Sequence, residues 1–266
     1  MYRWSFLILL FFLGIQFLNG QATTSVEGFN LKNSSGKADG NWRKYHDNGQ
    51  LRFEGQFKDG IEYGLFRYYD QEGGLKSTLN YLKEGKAMAT HYHKNGNIMA
   101  TGLLVDRKKD SIWNTYSPSG DILEKGAYIS GKKYGNWITY FENGQVSEEM
   151  FFENDMEEGP FKVYYPDGSL RQEANYVNGF LEGLATFYDA QGNKILKGKY
   201  YRGSRNGRWI YYKERLEVEK VLEYDKGNLL NPMENEDLME DDTDQYKNNR
   251  KDFLEFEDLK KRISYD

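Results

Sequence analysis

GKKYGNWITYFENG spans residues 131–144. Glycines this dense suggest either a phosphate cradle or a series of tight β-turns. A phosphate-binding loop needs a Lys-Ser/Thr pair opening a helix. Here the glycines lead into an aromatic run, Asn136–Phe141. That run ends at Asn143-Gly144, a dipeptide suited to the positive φ angles of a two-residue hairpin turn. The stretch therefore reads as a turn, a strand and a second turn.

Counting outward from Gly135 as position zero shows that the stretch is one copy of many. The same frame begins at Gly40, Gly64, Ala87, Ser111, Gly135, Gly159, Gly183 and Gly207, in steps of 24 residues with a single step of 23. Plus five is Tyr45, Tyr69, Tyr92, Tyr116, Tyr140, Tyr164, Tyr188 and Tyr212, without exception. Plus nine is glycine in every copy but the last, where Leu216 stands. Plus two is Trp or Phe except at Ala89 and Ala185, and plus seventeen is Phe57, Tyr81, Leu104, Tyr128, Phe152, Tyr176, Tyr200 and Tyr224. A second turn falls near plus twenty, at Gly60, Gly131, Gly179, Gly203 and Gly227. Fixed self-similarity of this kind marks a repeat architecture.

Each unit thus holds two short strands and two turns. The expected fold is all-β: an elongated antiparallel meander of about eight 24-residue hairpins, each pairing with the next. A lone hairpin is marginal in water. Stacked copies bury their rings against one another, each ring covering roughly 150–250 Å². Plus two and plus five differ in parity and should point to opposite faces. Either a glycine bulge brings Trp137 and Tyr140 together, or both faces carry aromatics.

The composition agrees with a thin sheet. Of 266 residues only 38% are hydrophobic, yet 16% are aromatic, with 22 Tyr and 28 Gly. Net charge is −5, which gives no general attraction to nucleic acid. The chain has no cysteine, which excludes disulfides, thiolate metal sites and a cysteine nucleophile.

The string Y-x-x-G-x-x-x-G-x-W-x-x-Y runs from Tyr128 to Tyr140 and again from Tyr200 to Tyr212. With the following Asn-Gly turn it resembles the MORN repeat family, in particular its bacterial variant, over residues 40–227. The copy holding LLVDRKKDS (103–111) departs most, having no glycine where others have two. The resemblance implies a single-layer sheet that scaffolds proteins or lies near membranes. It also implies a possible antitoxin-like or immunity-like role toward a toxin-like protein partner. Neither an enzyme nor a cofactor is expected.

Residues 1–22 have a basic start at Arg3, an apolar run from Phe6 to Leu18 and small residues at Gly20 and Ala22. This is the outline of a signal peptide, and the run is short for a membrane-spanning helix. The mature protein is then expected to be periplasmic or extracellular, with no integral membrane segment. Residues 23–39 read as a polar linker, in which Asn33-Ser34-Ser35 has the form of a glycosylation acceptor. Residues 228–266 form an acidic tail in which Phe256, Leu259 and Ile263 are spaced for a short helix over 249–263, the alternative being disorder.

Little else suggests chemistry. His91 and His93 share a strand face but lack an evident third metal ligand, so no metal site is expected. Glu148-Glu149 and Glu157-Glu158 are neighbours on strands, which points their carboxylates to opposite faces. The eight plus-five tyrosines are the candidate partner-binding residues. Facing solvent, they would present a ladder to a protein, a glycan or a membrane surface; facing the core, they would hold hairpins together.

Overall fold

The computed structural model describes residues 28–230, apart from 84, 214 and 215. The expected signal peptide and the 249–263 segment lie outside them. The described backbone forms one eighteen-stranded antiparallel sheet, numbered here β1 to β18 in chain order. Strands pair with their sequence neighbours, as in β1 (Gly40–Tyr45) with β2 (Leu51–Lys58), and β9 (Lys132–Tyr140) with β10 (Val146–Glu153). β13 (Phe180–Leu181) and β14 (Gly183–Tyr188) both pair with β12 (Leu170–Val177) and form one strand interrupted at Glu182. The meander expected from the period is the fold observed.

The first strand of each hairpin ends on its plus-five tyrosine, and the Asn-Gly type turn follows. The turns at the opposite edge combine two residues of positive φ, such as Ser130 (52°) and Gly131 (90°). Both edges are tied from repeat to repeat. The amide nitrogens of Gly60, Gly131, Gly179, Gly203 and Gly227 donate to the carbonyls of Ala38, Lys109, Glu157, Leu181 and Arg205, at 2.8–3.0 Å. At the other edge, the Asn48, Asn95 and Asn143 side chains donate to the carbonyls of Gln71, Pro118 and Pro166, at 2.7–2.8 Å. These bonds use backbone groups that a free hairpin would leave to water.

Bulges do occur at position zero, where Gly64, Gly135, Gly159, Gly183 and Gly207 have φ of 67–77°. Between β8 (Ile122–Ile129) and β9 the register passes from Lys125↔Ile138 to Ala127↔Tyr134. The first strand therefore carries two extra residues, and an even number leaves the parity intact. Trp137 and Tyr140 consequently lie on opposite faces, and both faces carry aromatics. The glycine-poor copy keeps this geometry without glycine: Asp106 and Arg107 form the turn with φ of 49° and 63°, and Ser111 takes the bulge at 58°. Among the junctions between successive hairpins, only that at Ala87 has no bulge. There β4 (Leu75–Tyr81) and β5 (Lys86–Tyr92) pair in unbroken register, joined by a longer loop, which accounts for the 23-residue step.

The core lies on the plus-two face. Trp113, Trp137, Phe161 and Trp209 are at most 3% exposed. Each large ring is matched by what lies opposite on the preceding strand. Gly102 faces Trp113, Gly126 faces Trp137 and Gly198 faces Trp209; a Cβ at any of the three would stand 2.1–2.3 Å from the indole. Where plus two is Phe161 the facing residue is Met150, and where it is Ala89 the facing residue is Leu79. At the indole junctions, and where Leu79 faces Ala89, large meets small, which keeps the layer at close-packed density. Tyr128 and Phe152 stand edge-on to Trp137 at 5.0 and 5.9 Å, and Tyr200 to Trp209 at 5.0 Å. Such pairs add about 0.5–1.5 kcal/mol beyond buried area. Each buried indole also donates Nε1–H to a carbonyl: Leu103 for Trp113, Ala127 for Trp137 and Lys199 for Trp209. A cation covers each of the three rings, from Lys109, Lys133 and Arg205 at 3.7–4.6 Å.

The described part of the polar segment, residues 28–39, is folded onto the first strand. Phe29 bridges to Asn41, the Asn30 side chain accepts from the Arg43 amide at 2.8 Å, and Trp42 donates to the Leu31 carbonyl. Asn33 accepts from the amides of Ser35 and Lys37 and donates to Asp59 at 2.7 Å, so its amide is used in building the turn. The segment closes the exposed edge of β1, where an unpaired strand would invite association.

Candidate partner-binding face

The face opposite the indoles carries the tyrosine row. Seven of its eight members are half-buried and Tyr45 is 45% exposed. Each tyrosine pairs across its hairpin with position plus eleven: Tyr45 with Leu51, Tyr92 with Ile98, Tyr140 with Val146. A bulge at plus twelve places these aliphatic residues beside the phenols. Aromatic and aliphatic side chains thus alternate along the Asn-Gly edge, except where Tyr188 meets Lys194.

The phenolic hydroxyls reach back to the preceding repeat. Tyr69 donates to Glu54 at 3.3 Å and Tyr188 to Glu173 at 2.7 Å. Tyr92 meets Thr78 at 3.4 Å, and Tyr164 bonds Glu149. All four partners occupy plus fourteen. Burial, and then the adjoining carboxylate, hold Tyr69, Tyr164 and Tyr188 protonated to higher pH than a free tyrosine. Glu54 also receives Arg43 at 3.2 Å and Arg67 at 3.7 Å, linking two repeats. The row therefore joins neighbouring hairpins through its hydroxyls while part of each ring stays accessible.

A second stripe on this face lies at plus one, a position not singled out above. Leu65, Met88 and Ile112 are 42–48% exposed in three consecutive copies, and Leu184 continues the position near the far end. Tyr134 packs on Phe151 within the same strip, with ring centroids 6.3 Å apart. The missed signal was parity: plus one adjoins the buried plus-two ring and must face away from it. Apart from the stripe, the edge carrying the second turns holds a cleft of about 810 Å³, whose wall includes Ile61, Tyr63, Leu82 and Arg107. Arg107 reaches Glu62 at 3.0 Å across that cleft.

The histidines serve the scaffold. His91 stacks on Trp113 at 5.9 Å, and burial, followed by the charge of Lys109, lowers its pKa. His93 and His46 contact the carbonyls of Tyr116 and Tyr69 through Nε2 at 2.9 and 3.0 Å. Among the described residues, no three His, Asp or Glu side chains are grouped to hold a metal.

The family described as "MORN repeat variant" matches residues 38–59, 133–154 and 157–178. No curated protein matches the chain. Among solved structures it is similar to the crystal structure of TarM, with 18% identity, 36% of this chain and 19% of that chain covered, and a TM-score of 0.28. The similarity thus spans about a fifth of TarM's length. It is also similar to a porin-like protein from Bacteroides uniformis ATCC 8492, with 10% identity, 70% and 84% covered, and a TM-score of 0.20. MORN repeats are commonly involved in binding proteins or membranes, and the family is generally non-catalytic. Two of the matched segments adjoin across β9 to β12 and the third begins at Ala38, each lying in frame with the hairpin period, so the chain carries MORN-type repeats at these three places.

Proposed function

We propose that this protein is an exported MORN repeat protein that binds a protein partner through the face opposite its indoles. The observation that carries the reading is the pair of stripes on that face. One is a row of half-buried tyrosines interleaved with aliphatic residues, and the other a line of exposed Leu65, Met88 and Ile112. Aromatic and Met side chains are what protein interfaces favour. The face repeats its chemistry at every hairpin and presents it on a backbone stapled at both edges, so little ordering entropy is lost on docking. A neutralising, immunity-like role toward an exported toxin fits this reading, and residues 1–22 supply the route of export.

The test is photo-crosslinking from position 88 or 112 in the native cell envelope, with the same probe at the buried position 137 as control. A discrete protein adduct from the exposed positions alone is the expected result. Adducts from neither position, or retention of the protein on isolated cell-wall glycan instead, would overturn the reading.

A further inference from the structure

We infer, on the partner-binding reading above, that the partner presents an acidic protein surface to a lysine patch in the copy spanning residues 183–206. Seven of the eight copies place an aliphatic residue at plus eleven, beside the tyrosine, whereas this copy has Lys194. At plus sixteen it has Lys199, where no other copy has a base, and at plus fourteen it has Lys197. All three stand on β15 (Lys194–Tyr201). Lys194 lies opposite Tyr188, Lys197 opposite Thr186 and Ile210, and Lys199 opposite Leu184 and Asn206. Residues directly opposite on neighbouring strands share a face, so the three lysines point to the tyrosine face. The patch adjoins both stripes there, Tyr188 belonging to the row and Leu184, 48% exposed, to the second stripe.

The sheet does not use these charges. None of the residues opposite them is acidic, and none of the three lysines makes an ion pair or a side-chain hydrogen bond among the described residues. The other charged groups of the copy serve the scaffold. Arg205 covers Trp209 on the far face at 4.5 Å, Arg202 lies 5.9 Å over Phe180, and Asp189 accepts from the Gln191 and Asn193 amides in its own turn. Lys197 and Lys199 stand about 7 Å apart along the strand, and their repulsion works against folding. Carboxylates brought by a partner relieve that repulsion and gain from the adjoining apolar groups. Charge also fixes where the partner sits. Copies of similar shape would let it slide by a whole repeat, but residues 135–158 hold seven acids and no base, which repels an acidic partner.

The test uses the full chain with the photo-probe at position 112 in the native envelope. Carbodiimide coupling, which joins a lysine amine directly to a carboxylate, is run beside it. The protein captured at position 112 is expected to couple through its own Asp or Glu side chains to Lys194, Lys197 or Lys199. The triple variant Lys194→Gln, Lys197→Gln, Lys199→Gln is expected to lower the yield of the position-112 adduct about tenfold. Lys199→Glu alone, at an exposed position, is expected to lower it as well. A control triple, Lys58→Gln, Lys83→Gln, Lys226→Gln, removes the same charge from exposed positions outside this copy and is expected to leave the yield unchanged. The near-UV aromatic spectrum of each variant reports that the sheet is intact. An adduct that survives loss of the three lysines, or coupling through other lysines alone, would overturn this inference and leave the partner-binding reading standing. Absence of any adduct from the parent chain would overturn both. Retention of the parent, but not of the first triple variant, on phosphatidylglycerol vesicles would assign the patch to a lipid and likewise overturn the inference.

Discussion

Ser111 is the one non-glycine residue that occupies a position-zero bulge, with φ of 58°. An L residue in that conformation is strained by roughly 1–2 kcal/mol, part of which glycine's larger unfolded-state entropy offsets. Its hydroxyl contacts only the adjacent Asp110 carboxylate, in an exposed position. Ser111→Gly is therefore expected to stabilise the protein by about 0.5–1 kcal/mol, read as a higher urea midpoint with an unchanged slope. A fall in the midpoint would mean that the hydroxyl contributes more than the backbone strain costs. How far such details were legible differs by residue. The plus-five tyrosines and the turn glycines announce themselves because each answers a local backbone or edge requirement, repeated every 24 residues. The pairing of Gly126 with Trp137 does not, because it depends on which residues two hairpins bring together across a bulge. Asn30 and Asn33 read as linker for a similar reason: they bind through amide and backbone groups and leave no apolar period to count.

At the scale of the element, the unit of cohesion is the junction between hairpins rather than the hairpin itself. Ring ladders, indole-to-carbonyl bonds and turn-to-turn bonds all cross it. Tyr176 shows what this means for titration. It stands edge-on to Phe161 at 5.4 Å, and burial, followed by the nearby Glu148 and Glu157 carboxylates, pushes its pKa up to about 12. The unfolded chain loses this proton near pH 10, whereas the folded chain holds it to about 12. Above pH 10 the unfolded state binds fewer protons, so stability falls as pH rises through that window. Tyr176→Phe removes the titrating group and keeps the ring. Its melting temperature is expected to decline less steeply between pH 10 and 12 than that of the parent, while the two differ by a constant amount between pH 7 and 9. Parallel curves across the whole range would show that Tyr176 does not carry the alkaline sensitivity.

For the whole molecule, stability should approach a sum of repeats and nearest-neighbour interfaces, as in other solenoid-like chains. Whole repeats should then be removable, provided the new junction still sets large against small. Deleting residues 111–134 joins Asp110 to Gly135 and brings Gly102 opposite Trp137, the same match that Gly102 makes with Trp113 and Gly126 with Trp137. Lys109 arrives over the indole in place of Lys133. Deleting residues 183–206 joins Glu182 to Gly207 and brings Ala174 opposite Trp209, which now faces Gly198 across a gap that admits no Cβ. Overpacking of this kind costs about 1–3 kcal/mol. The first deletion is expected to give a cooperatively folding protein with a native near-UV aromatic spectrum. The second is expected to melt several degrees lower than the first, and Ala174→Gly within it to recover most of the difference. The same substitution in the full-length chain, where Ala174 faces Ala185, should stabilise nothing. Equal stability of the two deletions would place the cohesion of the sheet in its backbone ladder and edges, and would reduce the glycine–indole match to a consequence of the fold rather than a condition for joining one repeat to the next.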